Sequence, residues 1–320
     1  MFDLRAGRSA ILFAVAWMGL AGCSPTGPGT GWSPDSVPDT PFLVVLGVGQ
    51  DGGVPQTGDW DHPGWTDPTL RRQVSSLGLV VPSTGASYLF DATPSLPEQL
   101  RRLYTVGATG LPEMFITHAH MGHYTGLMLL GHESLGASNV PVHAMPKMAE
   151  YLRSNGPWSQ LVKYENIRLS PLQAGTPVIV GPFSVTPLEV PHRQEFSEVV
   201  GYRIQGPNRS ALFIPDIDSW AEWDDAGVRI EEQIAQVDVA FLDGSFFANG
   251  EIPGRDMSGF PHPFITHSME RFSSLPDAER AKVQFIHLNH SNPALWSGPE
   301  ANAIRSAGYN LAREGQIERM

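Results

Sequence analysis

Short apolar runs alternate with amphipathic stretches along most of the chain from Phe42 onward. Runs of about four to eight residues rich in Val, Ile, Leu and Phe predict strands, and apolar residues spaced three and four apart predict helices. Consecutive runs across glycine-containing turns, as in 177–190 and 199–215, indicate hairpins within mixed sheets. Two mixed sheets flanked by helices, an αββα sandwich of the α/β (α+β) class, fit this order. The predicted strands are 42–48, 77–81, 86–91, 113–117, 140–143, 177–180, 183–190, 199–204, 210–215, 237–242 and 283–288, and the predicted helices are 96–104, 124–130, 147–154, 219–234, 268–274 and 299–307.

The first 22 residues have the pattern of a secretory signal. Arg5 and Arg8 give a positive start, and the apolar stretch 11–20 is too short to span a bilayer comfortably. The segment ends in Leu-Ala-Gly-Cys, which resembles the lipobox of bacterial lipoproteins and implies cleavage before Cys23 and acylation of its sulfur. We therefore expect a lipid-anchored protein of the cell envelope that faces the periplasm or the extracellular side. An ordinary secretory signal with an incidental cysteine is the alternative.

Residues 23–41 are rich in Pro, Gly, Ser and Thr and lack apolar periodicity, which predicts a flexible tether. No repeat or second linker interrupts 42–320, which is interpreted as one domain. The net charge of −12 argues against nucleic acid as the main partner, because surplus Lys and Arg bind phosphate backbones. We expect a small-molecule substrate; the oligomeric state is left open. Cys23 is the only cysteine, so any metal ligands in the domain must be His, Asp or Glu.

Three of the eleven histidines fall within six residues, at His118, His120 and His123. The predicted strand 113–117 precedes them and a predicted helix follows. The strand therefore delivers them to its carboxyl end, which is where sites form in open α/β sheets. Imidazole suits Zn, Fe, Ni or Cu, whereas three merely structural buried rings would each need a hydrogen-bond partner. This pattern favours a metal site.

The segment resembles the signature of the metallo-β-lactamase superfamily, His-x-His-x-Asp-His after a strand. The resemblance implies a metal-dependent hydrolase on the αββα fold. Four further residues follow apolar runs directly and occur in the order that this superfamily shows. The residues that the resemblance implies are the metal ligands His118, His120, His123, His192 and His287, the metal-bridging Asp216 and the structural Asp91.

Gly122 occupies the place of the signature aspartate, which serves the second metal position in the superfamily. The resemblance therefore implies an intact first position, with His118, His120 and His192, and a weakened second position. We expect a mononuclear or asymmetric centre. His290 is a candidate to replace or supplement the missing ligand.

Within the superfamily the chain resembles the pyrroloquinoline quinone biosynthesis protein B group. That group has a cysteine-rich loop after its first glycines, whereas residues 57–62 of this chain contain no cysteine. Asp51-Gly52-Gly53 is interpreted as a glycine turn that lets the backbone approach the site. The segments that carry the resemblance are 46–56, 242–245, 254–257 and 286–293.

A metal held by three neutral imidazoles keeps an open coordination position and lowers the pKa of its bound water towards about 7, which supplies hydroxide for hydrolysis. The expected cofactor is zinc, as one or two ions, with iron or manganese possible. Asp216 is expected to orient the hydroxide. His262, in a Gly/Pro-rich loop that resembles the loop of related phosphodiesterases, is the first candidate to protonate the leaving group, and His267 is the second.

The expected substrate is an ester, lactone, amide or phosphodiester. Two alternatives stay open. One is an iron-dependent oxidoreductase related to quinone-cofactor biosynthesis, since imidazole and carboxylate ligands also suit non-haem iron. The other is a non-catalytic lipoprotein that binds a small molecule.

Overall fold

The computed structural model describes residues 32–320, in which fourteen strands form two seven-stranded sheets. The first sheet has the order β14-β1-β2-β3-β4-β5-β6 and the second the order β13-β12-β11-β10-β9-β8-β7, with numbers in chain order. The strands are β1 (Phe42–Gly47), β2 (Ser76–Val81), β3 (Ala86–Phe90), β4 (Glu113–Phe115), β5 (Val140–Ala144), β6 (Ile167–Pro171), β7 (Val178–Val180), β8 (Phe183–Glu189), β9 (Val200–Gln205), β10 (Ser210–Ile214), β11 (Val239–Asp243), β12 (Val283–Ile286), β13 (Asn310–Leu311) and β14 (Ile317–Arg319).

Helices connect many of these strands. The α-helices are α1 (Leu96–Thr105), α2 (Met121–Tyr124), α3 (Pro146–Ser154), α4 (Trp158–Lys163), α5 (Trp220–Asp225), α6 (Ile230–Ala235), α7 (Ile265–Phe272), α8 (Asp277–Arg280) and α9 (Pro299–Ser306). Short 3-10 turns span Pro63–Trp65, Pro68–Leu70, Thr125–Leu130 and Pro293–Leu295. Within residues 32–320, no helix is long and apolar enough to span a bilayer.

The alternation of side chains along β1 shows how the layers are built. Leu43 and Val45 lie in the apolar core shared with Phe213 and Phe241 of the second sheet. Phe42 and its alternate neighbours Val44 and Leu46 lie in a separate apolar cluster with residues of α1, α3 and α4. A strand that is buried on both faces reads as a continuous apolar run, as β1 does. The αββα sandwich with two mixed sheets is thereby confirmed.

Each sheet contains a parallel half. Strands β3 to β6 are parallel in the first sheet, and β10 to β13 are parallel in the second. The carboxyl ends of the parallel strands therefore lie at one edge of each sheet, and loops that leave these ends come together. This edge holds the metal-ligand candidates.

Most predicted elements are present, but some differ in type or extent. The single helix predicted over 219–234 is two helices, α5 and α6, because the chain turns at Gly227, which has φ +83°. The predicted helix 124–130 is the end of α2 followed by a 3-10 turn. Strands β6, β13 and β14 were not predicted, since the first mixes polar residues and proline into its pattern and the other two are very short.

Two residues of the predicted tether contact the domain. Trp32 donates its indole N–H to Thr105 Oγ1 (3.2 Å), and the guanidinium of Arg102 lies 4.5 Å from the Trp32 ring centre. Asp35 accepts a hydrogen bond from the backbone N–H of Ile317 (3.1 Å) and pairs with Arg313. Trp32 and Asp35 thus tie this part of the segment to the domain through an aromatic and a charged side chain. The predicted signal segment and Cys23 lie outside the described residues.

Candidate metal centre

Residues of the candidate centre lie where buried strands end. Asp91 follows β3, Asp216 follows β10 within two residues, and His287 follows β12. Asp91 and His287 have φ angles of +67° and +64°, in the left-handed region that non-glycine residues seldom adopt. Such strain persists only where surrounding contacts hold the backbone in that conformation, and it is concentrated at functional sites.

The first group of ligands joins the loop after β4 to the loop after β8. His118, His120 and His192 each offer one ring nitrogen, and these nitrogens lie within 4.8 Å of one another. His192 Nε2 is 3.1 Å from His120 Nδ1, and two nitrogens on one tetrahedral zinc ion are about 3.3 Å apart. His118 and His192 are buried and His120 is half-buried. The group therefore has the donors and the spacing of a three-histidine metal position.

The second group joins three distant segments: Asp51 after β1, His123 in α2 and His287 after β12. Asp51 Oδ1 is 3.4 Å from His123 Nε2 and 3.8 Å from His287 Nε2. Asp216 lies between the two groups, with Oδ2 at 2.8 Å from His123 Nε2 and 3.6 Å from His118 Nε2. A carboxylate in this place can serve both metal positions.

Each of the five imidazoles is also held by a second polar side chain. Metal-binding histidines use their other ring nitrogen in this way, which fixes the tautomer and the ring orientation. Four rings use Nδ1 for this contact and direct Nε2 to the centre, whereas His120 does the reverse. The contacts are His118 Nδ1 with Thr117 Oγ1 (2.9 Å), His120 Nε2 with Glu195 Oε2 (3.0 Å), His123 Nδ1 with Asp91 Oδ2 (2.8 Å), His192 Nδ1 with Asp218 Oδ1 (2.6 Å) and His287 Nδ1 with Ser245 Oγ (3.0 Å).

Several buried polar atoms at the centre have no hydrogen-bond partner among the described residues. They are Asp51 Oδ1 and the Nε2 atoms of His118, His123 and His287, of which His123 Nε2 lies 2.8 Å from Asp216 Oδ2 but not in hydrogen-bond geometry. Each such atom costs about 1–3 kcal/mol if it stays unpaired. Because all four belong to the two groups of ligand candidates, metal ions bound there would satisfy them together. The residues therefore fit divalent metal.

The electrostatics of the centre favour positive charge. Burial on its own raises the pKa of the Asp216 carboxyl, but His287 and His123 hold that pKa well below its ordinary value. Burial on its own lowers the pKa of His123, but Asp91, Asp216 and Asp51 raise it well above its ordinary value. A proton on His123 among three carboxylates occupies a place where a cation is stabilised.

The pKa of His118 shifts in the opposite direction from that of His123. Burial and the neighbouring His123 hold the pKa of His118 well below its ordinary value. Its ring is therefore neutral at pH 7. A neutral imidazole is the form that binds metal.

His262 lies beside the centre, as the sequence predicts for a proton donor. Its Nδ1 is 2.8 Å from Asp243 Oδ2, 3.2 Å from Ser245 Oγ and 3.6 Å from Asp216 Oδ1. Burial lowers the pKa of His262, but Asp243, with Asp216 and Asp218, raises it to about 9. The ring is thus protonated at neutral pH and lies next to the carboxylate shared by both groups.

Two predicted site residues are not brought into the centre. His267 lies on the exposed face of α7, against Phe264, and lines a groove outside the ligand groups. His290 belongs to neither group of ligand candidates, and its Nδ1 is 3.7 Å from Asp59 Oδ2. The turn after His287 carries His290 to the rim of the site.

Several residues of the site are not among those that the sequence pattern predicts. Asp51 was assigned to a glycine turn, although its carboxylate reaches His123 and His287. Asp243 ends the apolar run of β11, which is the same signal that identified Asp91, and was overlooked. Ser245 lies in the segment 242–245, whose resemblance assigns it no role, and no local signal marks Glu195 or Asp218.

Comparison with known proteins identifies the family. The family model described as "Beta-lactamase superfamily domain" matches residues 87–288. The chain belongs to the β-lactamase superfamily. The matched stretch begins in β3 and ends directly after His287, so it contains every ligand candidate of this superfamily member except Asp51 and His290.

Individual relatives and solved structures are also similar to this chain. Ribonuclease Z of Crocosphaera subtropica is 31% identical over 149 residues, 46% of this chain and 46% of the relative. The chain thus spans about half the length of the ribonuclease Z relatives it matches. Coenzyme PQQ synthesis protein B of Bradyrhizobium diazoefficiens is 25% identical over 316 residues, with 85% of this chain and 97% of the relative covered. Zinc-bound PqqB from Methylobacterium extorquens has the same fold, with a TM-score of 0.71, 18% identity, and 87% of this chain and 100% of that chain covered.

Proposed function

We propose that the protein is a metal-dependent hydrolase whose substrate is a small phosphodiester. The observation that carries the substrate class is a cavity of about 380 Å³ next to the metal centre. Asp51, His262 and His290 line it together with Arg193 and Arg255. The cavity therefore joins the candidate metal ligands to a basic wall.

The two arginines are suited to bind an anion. Arg193 directly follows the ligand candidate His192, and the guanidinium of Arg255 lies 4.9 Å from the Phe260 ring centre. Within residues 32–320, neither arginine forms an ion pair. Guanidinium groups match phosphate geometry with paired hydrogen bonds, and Phe260 and its neighbour Phe246 offer an apolar surface for an ester substituent.

The chain's own residues supply the remaining parts of the reaction. When held by these residues, a divalent metal would lower the pKa of a bound water, so that its proton leaves to solvent, and would polarise the phosphoryl oxygen. Asp216 accepts a hydrogen bond from the resulting hydroxide and orients it for attack on phosphorus. His262 is protonated and its Nδ1 is held by Asp243 Oδ2 (2.8 Å), so Nε2 is the atom that donates a proton to the leaving oxygen. Arg193 and Arg255 hold the phosphate.

A small substrate suits this protein better than RNA. The formal net charge is −12, and a nucleic-acid partner needs an extended basic surface that releases many counterions. The name of the ribonuclease Z relatives states that they act on RNA. The shared superfamily supports the phosphodiester chemistry, and the charge supports a smaller substrate.

The test compares bis(p-nitrophenyl) phosphate with p-nitrophenyl acetate and a lactone, using protein loaded with zinc or manganese. We expect turnover of the phosphodiester that chelators abolish. Arg255→Ala should raise KM by about tenfold with a smaller change in kcat, because it removes ground-state binding of the anion. Arg168→Ala, an exposed arginine on β6, is the matched control. Turnover of the carboxyl ester alone would contradict the proposed substrate class.

The iron-dependent alternative is favoured by the likeness to Coenzyme PQQ synthesis protein B, which covers 85% of this chain. Histidine and carboxylate ligands suit iron as well as zinc. Metal analysis of protein expressed without added zinc, with a measurement of oxygen consumption, separates the two functions. Oxygen uptake by the iron form without any ester turnover would replace the hydrolase proposal. A loaded protein that binds small phosphodiesters without turnover would indicate a carrier.

We also propose that the domain is lipid-anchored at the cell envelope through Cys23. The support is the signal pattern of residues 1–22 and the Leu-Ala-Gly-Cys sequence, both outside the described residues. Labelled palmitate should enter the wild-type protein and not Cys23→Ser. Equal recovery of both proteins in the soluble fraction would contradict the anchor.

A further inference from the structure

We propose that Asp51 is a metal ligand and that it supplies to the second position the carboxylate that the superfamily signature places at residue 122. The second position is then complete rather than weakened, with Asp51, His123, His287 and the shared Asp216. This inference rests on metal binding by the cluster and not on the hydrolysis proposed above.

The space at Gly122 is the first observation. A Cβ atom at Gly122 would collide with Asp51 Oδ1 and would lie 2.6 Å from Asp51 Cα and 2.9 Å from Asp51 Cγ. Gly122 lies in α2 and does not have a positive φ, so backbone conformation does not require glycine there. Glycine is required because Asp51 occupies the volume of the missing side chain.

The direction of the Asp51 carboxylate is the second observation. Oδ1 is buried, whereas the side chain as a whole is 39% exposed. Oδ1 lies 3.4 Å from His123 Nε2 and 3.8 Å from His287 Nε2. Neither Asp51 Oδ1 nor His287 Nε2 has a hydrogen-bond partner among residues 32–320, and His123 Nε2 contacts Asp216 Oδ2 at 2.8 Å without hydrogen-bond geometry. Ligand atoms from three segments that converge on one point in this way are the arrangement of a metal position.

The backbone holds Asp51 in this place. The N–H of Gln50 donates to the carbonyl of Leu288 (2.8 Å), and the N–H of Leu288 donates to the carbonyl of Val48 (2.8 Å). The N–H of Gly53 donates to the carbonyl of Gln50 (2.7 Å) and closes the turn around Asp51. The turn is thus bonded to the residue that follows His287. Asp51 and His287 are positioned as one unit.

This assignment reverses an expectation from the sequence. An incomplete motif suggests that Gly122→Asp restores a ligand and raises the metal content. The structure predicts the opposite, because any side chain at residue 122 displaces Asp51. The carboxylate is present and comes from a different strand end, which is why the motif lacks it.

The experiment measures zinc stoichiometry by mass spectrometry of the metal after dialysis, and affinity by competition with a chromogenic chelator. We expect two tightly bound equivalents in the wild type and one in Asp51→Ala. Asp61→Ala, an exposed aspartate of the following loop, is the matched control and should keep two. Gly122→Ala adds no charge and removes no ligand, yet it should also bind one equivalent, because its Cβ displaces Asp51.

Cobalt substitution gives a second readout that does not depend on activity. The absorption bands of the cobalt in the second position should be lost in Asp51→Ala and Gly122→Ala, while thermal melting of the metal-free proteins shows whether they fold. Retention of two equivalents and of the full cobalt spectrum in folded Asp51→Ala would overturn the assignment. A single equivalent in the wild type would overturn it as well. Loss of turnover with two metals bound would instead count against the proposed hydrolysis.

Discussion

The two metal positions of the centre differ in how far apart their ligands lie along the chain. The first position takes two histidines from the single loop after β4 and adds His192. The second position takes Asp51 from the start of the domain, His123 from the middle and His287 from near the end. A local motif therefore identifies the first position, whereas the second exists only once β1 and β12 are brought side by side.

This difference in ligand spacing affects how tightly each position binds metal. Ligands on one short loop are close before the domain is complete, so less conformational entropy must be lost to bring them together. The second position depends on the packing of Gly122 against Asp51 and on the strained backbone of His287. We therefore expect tighter binding at the first position and greater sensitivity to packing at the second.

Removal of a ligand from the first position should have the largest effect. His192→Ala leaves the second group untouched but takes a buried ligand from the first. Metal-ion catalysis contributes several kcal/mol, and each 1.36 kcal/mol is tenfold in rate, so hydrolysis should fall by about 10³-fold or more. Steady-state kinetics and zinc content check this result.

The matched control for this variant is His132→Ala, which changes an exposed histidine remote from both groups. It should leave rate and zinc content unchanged. If His192→Ala keeps its rate within about tenfold of the wild type, the chemistry takes place at the second position, and the ranking of the two positions is wrong.

The same contrast explains how much could be predicted from the sequence. The apolar runs of β1, β3, β10 and β12 predict strands correctly, because strands buried on both faces need nearly continuous apolar sequence, and β8 is marked instead by its alternation of buried and half-exposed residues. The residues directly after these runs, such as Asp91 and His287, are therefore marked by the pattern. Edge strands such as β6 and β13 were missed, since half-exposed edges carry no such run.

Asp51 could not be recognised in this way. Gly122 looks like a lost ligand in the motif, and only the three-dimensional arrangement shows that Asp51 lies against it. The partners Glu195 and Asp218 are likewise defined by distance from His120 and His192 and by no local pattern. Side-chain contacts between distant segments are the part that sequence patterns do not encode.

Replacement of the carboxylates that hydrogen-bond the ligand histidines should lower metal affinity by an intermediate amount. Asp91 holds His123 of the second position, and Asp218 holds His192 of the first. Replacing such a partner typically lowers metal affinity by about 10–100-fold, and we expect this for Asp91→Asn and Asp218→Asn alike. Zinc competition titrations measure both.

Only one of these two variants should also lose stability. Asp91 is fully buried and accepts hydrogen bonds from the backbone N–H and the hydroxyl of Thr117 as well as contacting His123. Asp91→Asn should therefore lower the free energy of unfolding of the metal-free protein by about 2–4 kcal/mol. The partly exposed Asp218 should contribute much less. Equal destabilisation of both variants in urea unfolding would show that Asp91 has no special structural role.

Replacement of His290 should have the smallest effect and sharpens the choice of ligand for the second position. The histidine was a candidate to replace the aspartate missing at Gly122, but its ring lies at the cavity rim, near Asp59. His290→Ala should therefore leave the zinc content and the cobalt spectrum unchanged and raise KM by no more than a few fold, since it touches only bound substrate. A drop to one zinc equivalent in His290→Ala, with two retained in Asp51→Ala, would move the ligand role from the turn after β1 to the turn after β12. Two equivalents in His290→Ala with one in Asp51→Ala would mean that the turn after the first strand of the domain completes the second position. Glycine at residue 122 and aspartate at residue 51 are then two parts of one ligand site.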